Sequence, residues 1–255
     1  MARFNKQSLH SRTMPRKVPT RGFLFVILLF SPYLLAEEQL FLRSGVREYV
    51  EQEQLVRFDH LFESLGRNKN LPKGFELQTL LALSHYPELD DIKINFIVDD
   101  VSIPLSSRPH WSSMLRSARN RTYQVIIDSE REGARGALLL KNQPFNAQVG
   151  IIGHELAHTV YYLNRSLFGI LGDALCQLSD CRIGFERATD KRLIDYGLGW
   201  QRFDHARFVR GRIPQNQISA STAEGGGGAY MSPAEILRII QGHEAYANQT
   251  QSSAN

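Results

Sequence analysis

Residues 154–158 read HELAH, an HExxH motif in which His154 and His158 stand four positions apart. On a helix, residues four apart lie one above the other, so both imidazoles could reach one Zn²⁺ ion at about 2.0–2.1 Å. Glu155 would then lie beside the open position of the metal, where a carboxylate can act as general base. The motif therefore predicts a zinc site with hydrolytic chemistry.

The flanks of the motif favour a helix with a buried face. Apolar side chains recur there at helical spacing: Val149, Ile152, Leu156, Val160 and Leu163. Asn146 can cap the start of this helix, and Pro144 fits just before it. The alternative is that the motif holds ordinary polar residues on a solvated face, but these flanks are too apolar for that to be favourable. Imidazoles at a buried edge need partners, and a metal ion can supply one.

A catalytic zinc usually takes three protein ligands, so a third should follow on another element. Residues 185–197 favour a second helix, with Gly197 as its C-cap. Glu186 and Asp190 would share one face of that helix. Glu186 could then bind the metal, while Asp190 could accept the second ring N–H of a ligating histidine and fix its tautomer.

An HExxH motif followed by a helical ExxxD resembles the gluzincin branch of the zincin metallopeptidases, over about residues 90–205. The chain lacks the glycine and third histidine of the metzincin motif. The resemblance implies that His154, His158 and Glu186 ligate Zn²⁺, that Glu155 is the general base, and that Asp190 orients a ligand. It also implies an α+β fold in which an edge strand runs above the HExxH helix and pairs with extended substrate.

The elements upstream agree with that fold. Residues 75–85 favour a helix, and residues 92–99 and 121–128 favour strands. By the resemblance, 121–128 is the substrate-binding edge strand. The intervening segment, 102–120, is basic and contains two prolines, and it is either a flap over the cleft or a loose surface loop. His110 within it is expected to be solvated.

A transition-state oxyanion needs a donor besides the metal, and no motif assigns one. Four candidates stand downstream of the ligands: Tyr196, His205, Arg207 and Tyr230. Each has a structural role as its alternative reading.

The N-terminus has the layout of an export signal. Residues 1–22 carry six Lys or Arg and no acid, and residues 23–36 are apolar. The segment is either a cleaved signal peptide or a signal anchor that keeps the protein on the membrane. Both place the zinc site outside the cytoplasm, in the periplasm if the source is bacterial.

The basic character of the chain comes largely from this leader, since the rest holds 24 basic and 26 acidic residues. A nucleic-acid partner is therefore not expected. The remaining basic cluster, Arg202, Arg207, Arg210 and Arg212, is predicted to be a solvated helix end and loop.

The predicted organisation has four parts. They are the leader and apolar segment (1–36), a helical N-terminal region (37–90), the catalytic core (91–215), and a Gly-rich linker, short helix and polar tail (216–255). Ser232 and Glu235 form a capping box for the short helix. Cys176 and Cys181 are expected to form a disulfide bond, with two free thiols as the alternative.

These observations favour a zinc metallopeptidase that acts on a peptide or protein substrate. Two alternatives stay open. One is a binding or scaffold protein on the same fold, although such a protein would be free to lose Glu155. The other is a zinc amidase that acts on cell-wall peptide.

Overall fold

A computed structural model describes five stretches of the chain: residues 44–100, 105–130, 133–176, 181–212 and 229–247. The leader, the run Gly225–Gly228 and the polar tail lie outside them. Within these stretches the chain combines helices with one mixed sheet, which confirms the predicted α+β class. All of the described residues belong to one compact unit, residues 40–255.

Eight α-helices occur in the described stretches: α1 (Glu51–Leu55), α2 (Phe58–Leu65), α3 (Glu76–Leu83), α4 (Phe145–Leu163), α5 (Leu167–Cys176), α6 (Cys181–Asp195), α7 (Gly199–Arg212) and α8 (Pro233–Gly242). Four strands form the sheet: β1 (Lys69–Asn70), β2 (Lys93–Asp99), β3 (Leu105–Pro109) and β4 (Thr122–Asp128). No helix of these stretches has both the length and the apolar character to cross a membrane.

The sheet has the order β1-β2-β4-β3. The first three strands are parallel, and β3 runs antiparallel to β4, with Leu105 opposite Ile127 and Pro109 opposite Tyr123. The strand predicted at 121–128 therefore exists, but its predicted position at the edge of the sheet is wrong. It is an interior strand, and the edge strand beside it is β3, which lies in the segment predicted to be a flap or loose loop.

Helix α4 is the central element of the core. Its apolar stripe packs as predicted, with Val149, Ile152 and Leu156 fully buried. The predicted cap is wrong, because Asn146 lies inside the helix and exchanges two hydrogen bonds with the backbone of Tyr49. The helix therefore starts one residue after Pro144, and Asn146 holds the N-terminal part of the described chain against it.

Helix α6 begins four residues earlier than predicted and ends near the expected position. Gly197 follows it with a φ of 89°, a conformation in which a side chain would be strained, and its N–H donates to Ile194 O. At the other end of the described chain, the predicted capping box of α8 is confirmed, with both the Ser232 and the Glu235 hydrogen bonds present. Ile236 and Ile240 then pack into the core.

Candidate metal centre

Helices α4 and α6 bring three donor atoms to one point. His154 Nε2 and His158 Nε2 lie 3.1 Å apart, and Glu186 Oε2 lies 3.1 Å from the first and 3.2 Å from the second. All three residues are buried, and together they form a group that could hold a metal ion.

Hydrogen bonds on the far side of each ring fix the tautomers. His154 Nδ1–H donates to Asp190 Oδ1 at 2.8 Å, because an ionised carboxylate can only accept. Thr189 uses its hydroxyl hydrogen on Phe185 O at 3.0 Å, so its oxygen accepts from His158 Nδ1–H at 3.2 Å. When both rings are neutral, both Nε2 atoms therefore carry lone pairs, and these point at each other and at a carboxylate.

This donor set fits a zinc ion. In a tetrahedral site with bonds of about 2.0–2.1 Å, neighbouring ligand atoms are about 3.3–3.4 Å apart, close to the observed triangle. Two imidazole nitrogens and one carboxylate oxygen are also the donors of many catalytic zinc sites. Three buried lone pairs directed at one point repel one another unless a cation lies between them.

The electrostatics of the group favour positive charge. Burial lowers the pKa of His154, but hydrogen bonds to Asp190 and Glu186 outweigh it and raise that pKa to about 9. Burial alone would raise the pKa of Glu186, yet the two histidines lower it to about 2. The same carboxylates that attract a proton here would attract a metal ion.

Asp190 is fully buried and has four hydrogen bonds. Its Oδ1 accepts from His154 and, at 2.6 Å, from Arg202 Nε, and its Oδ2 accepts from Arg202 Nη2 at 3.3 Å and from the backbone N–H of Met231 at 2.8 Å. Burial raises the pKa of Asp190, but Arg202 and His154 outweigh it and hold the pKa well below its usual value. Asp190 therefore stays ionised and fixes the orientation of His154.

Helix α7, which carries Arg202, packs closely against α4. A Cβ at Gly150, one turn before His154, would lie 2.2 Å from Gln201 O and 2.9 Å from Arg202 N. Only glycine therefore allows this spacing. The predicted solvation of the arginine cluster is wrong for Arg202, which is 2% exposed, because its charge is neutralised by Asp190.

Glu155 lies next to the donor triangle and is buried. Burial, together with the negative charge of Glu186, raises its pKa above the usual value, while His158 and His154 act in the opposite direction. A carboxylate with a raised pKa is a stronger base than a solvated one.

Of the four candidate oxyanion donors, Tyr230 alone has a ring contact with one of the three metal-donor residues. Its ring meets that of His154 edge-on at 5.6 Å between centroids. Desolvation, followed by the charges of Glu186 and Glu155, raises the pKa of Tyr230 above its usual value. Its phenol thus stays protonated at neutral pH and able to donate.

The other three candidates have partners elsewhere. The Tyr196 hydroxyl donates to Glu88, and the guanidinium of Arg207 lies over the ring of Phe203. His205 is buried, with its Nδ1 2.8 Å from Gln143 Oε1.

Sequence reasoning missed three residues around the site: Thr189, Phe185 and Arg202. Phe185 stacks on the His158 ring at 5.0 Å. Phe185 and Thr189 directly precede Glu186 and Asp190 and are themselves four positions apart. Their spacing on the predicted helix could therefore have indicated that they lie near the site. Arg202 comes twelve positions after Asp190 on another helix, and no local pattern reveals that pair.

Cys181, the first residue of α6, is disulfide-bonded, which contradicts the alternative of two free thiols. The side chain of Cys176 is outside the described residues. A bonded Cys181 fixes the start of the helix that carries Glu186 and Asp190.

In comparisons with family models, with curated proteins and with solved structures, no significant match to this chain was found.

Proposed function

We propose that this protein is a zinc metallopeptidase of the gluzincin type. One observation carries the proposal: two imidazoles and one carboxylate converge on a single buried point, beside Glu155, a buried carboxylate whose pKa is raised by desolvation. His154, His158 and Glu186 would hold the ion. When bound, zinc supplies Lewis acidity and lowers the pKa of a water molecule towards about 7.

The protein's own groups would then move the protons. Glu155 would take a proton from the attacking water and pass it to the leaving amine of the scissile peptide bond. Tyr230 would donate a hydrogen bond from its phenolic hydroxyl to the developing oxyanion, since its ring contacts His154 and its hydroxyl stays protonated. Asp190 and Arg202 would keep the imidazole of His154 in its ligating orientation.

Strand β3 is the proposed substrate edge. It pairs with β4 on one side only and lies against the active-site helix, where Ser107 Oγ is 2.8 Å from Thr159 Oγ1. Thr159 follows His158 directly. An extended peptide that added to this edge as a further strand would run past the candidate site, with main-chain hydrogen bonds providing affinity.

The test is the metal content of the purified full chain, measured by elemental analysis, together with Glu186→Ala and a control, Glu63→Ala, at an exposed position on α2. We expect one zinc per chain in the parent and the control, and little in Glu186→Ala, because one of three donors is lost. Equal zinc in all three would show that Glu186 is not a ligand. No zinc in any would reject the proposal and leave the binding-protein alternative.

A zinc-loaded parent is then tested on two substrate classes. Cleavage of unstructured peptides supports the peptidase, and cleavage of cell-wall peptide alone would assign the site to an amidase.

A further inference from the structure

Two neighbouring segments outside the candidate site expose large apolar side chains. One is the loop after β3, where Trp111 is 62% and Leu115 is 89% exposed, and the other is helix α5, where Phe168 is 83% exposed. Leu171 and Leu175 follow Phe168 at helical spacing and are also exposed. We refer to Trp111, Leu115, Phe168, Leu171 and Leu175, with the arginines named below, as the apolar-basic surface.

The two segments are held side by side by one buried residue. The guanidinium of Arg121 donates from Nε to Arg116 O at 3.0 Å and from Nη1 to Arg165 O at 2.8 Å. Arg116 follows Leu115 in the loop, and Arg165 lies three residues before Phe168. The loop and the start of the helix are therefore neighbours on the protein surface.

The two segments together carry a net positive charge, while the exposed Asp91 of another segment lines a pocket with Arg119. Residues 105–127 contain no Asp or Glu, and Arg108, Arg116 and Arg119 are exposed there. On α5 the acidic residue, Asp173, is neutralised by Arg165 at 2.7 Å and also accepts from Tyr161. Three exposed arginines thus lie on the same segment as Trp111 and Leu115, and neither of the two segments has a free carboxylate.

We propose that the apolar-basic surface docks onto an anionic lipid bilayer. Exposed apolar patches of this kind are rare on proteins that have no partner. Trp, Phe and Leu side chains bind at the boundary between headgroups and acyl chains, and arginines beside them bind anionic headgroups. A second copy of this chain would instead bring the arginines of the two faces together.

The inference does not depend on the zinc site or on the apolar segment at 23–36. Docking through the apolar-basic surface would fix the orientation of the domain at a membrane, whereas a signal anchor at 23–36 would only tether it.

The two tryptophans of the chain provide the test. Trp200 lies on α7, half-buried beneath Arg47, whose guanidinium is 4.3 Å from the ring centre, so it serves as the internal control. Full-length Trp200→Phe keeps only Trp111, and full-length Trp111→Phe keeps only Trp200. Each is mixed with vesicles of phosphatidylglycerol and phosphatidylcholine that carry bromine on the acyl chains, and tryptophan emission is recorded.

We expect the emission of Trp111 to shift to the blue and to be quenched by bromine, while that of Trp200 is unchanged. Arg116→Gln and Arg119→Gln, introduced into Trp200→Phe, should each weaken vesicle binding about fivefold, and vesicles of phosphatidylcholine alone should bind less. Both arginines are exposed, and circular dichroism checks that the variants are folded.

Unquenched Trp111 on vesicles that retain the protein would overturn the proposal, because the protein would then be tethered by another segment. The proposal would also be overturned if the emission of Trp111 shifted to the blue only on binding an acidic protein or a second copy of this chain, and not on vesicles. Equal quenching of Trp111 and Trp200 would also overturn it, since a specific face would not be involved.

Discussion

The buried His85 differs from the buried pair His154 and His158 in the partners of its ring nitrogens. His85, after α3, has a protein partner on each ring nitrogen: the Tyr49 hydroxyl is 2.7 Å from Nε2, and the backbone oxygen of Tyr196 is 2.7 Å from Nδ1. His154 and His158 each have one such partner, on Nδ1, while their Nε2 atoms point at each other and at Glu186.

The difference separates a structural histidine from one that could bind a metal ion. At His85 a donor meets an acceptor on both sides, so neutral groups satisfy the ring. At the candidate metal centre the neutral rings would place acceptors against acceptors, and a bound proton or metal ion makes that arrangement favourable. Burial is the same in both places, so the informative feature is the identity of the groups around each nitrogen.

The largest expected effect concerns the residue beside the metal donors. In Glu155→Gln, turnover of a peptide substrate should fall by about 10²–10⁴-fold, because the proposed general base is lost while the three donors remain. Zinc content should equal that of the parent. Loss of zinc together with activity would mean that Glu155 is itself a ligand, and Glu63→Gln is the matched control.

A second test weakens the hydrogen bond behind one ligand. Asp190→Asn keeps the shape of the side chain but removes the charge that orients His154, and it should weaken zinc binding about 10–100-fold. Competition with a chelating dye measures the change. Asp195→Asn, at the exposed end of the same helix, is the control, and equal affinities in the two variants would remove Asp190 from the site.

A third test addresses His85, the structural histidine. His85→Phe removes two hydrogen bonds from the Tyr49 and Tyr196 cluster and should lower the free energy of unfolding by about 1–3 kcal/mol. Zinc content should not change. If His85→Phe loses zinc as Glu186→Ala does, His85 is not independent of His154 and His158, and its role is not purely structural.

The smallest effect concerns a third buried histidine. Burial, together with the positive charges of Arg202 and His154, lowers the pKa of His205 well below its usual value. Below about pH 6.5 the unfolded chain therefore binds a proton at this position that the folded chain does not, and the folded state loses stability as the pH falls.

The variant His205→Gln removes that contribution. The test is denaturant titration of the metal-free protein, prepared with a chelator, below about pH 6.5. The slope of unfolding free energy against pH should be shallower in His205→Gln than in the parent, by up to about 1.4 kcal/mol per pH unit. An unchanged slope would mean that His205 titrates normally. The same substitution at the exposed His60 is the matched control.

The candidate site was predictable where the signal is local. His154 and His158 are four positions apart on a periodic helix, and Glu186 and Asp190 are four apart on another, so spacing alone placed each pair on one face. The contact between the two helices followed only from the need of a zinc ion for a third ligand and from the resemblance, since no pattern within either helix specifies its partner.

Predictions failed where distant groups decide. Asn146 has the chemistry of a cap, but the backbone of Tyr49, 97 positions earlier, binds it instead. Strand β3 has no alternation of apolar and polar residues, because an edge strand beside a helix can be polar. Arg202 resembled a surface residue because its partner lies on a different helix.

The carboxylate of Asp190 has a consequence that extends beyond orientation. It accepts hydrogen bonds from the imidazole of His154 and from the backbone N–H of Met231, just before α8, so one side chain links the candidate metal centre to the start of that helix. By reciprocity, an ion that favoured the ordered imidazole through Asp190 would also favour the docked α8, and loosening that helix would weaken ion binding by the same factor. Occupancy of the centre would thus be reported by local unfolding at a segment that contributes no ligand to it.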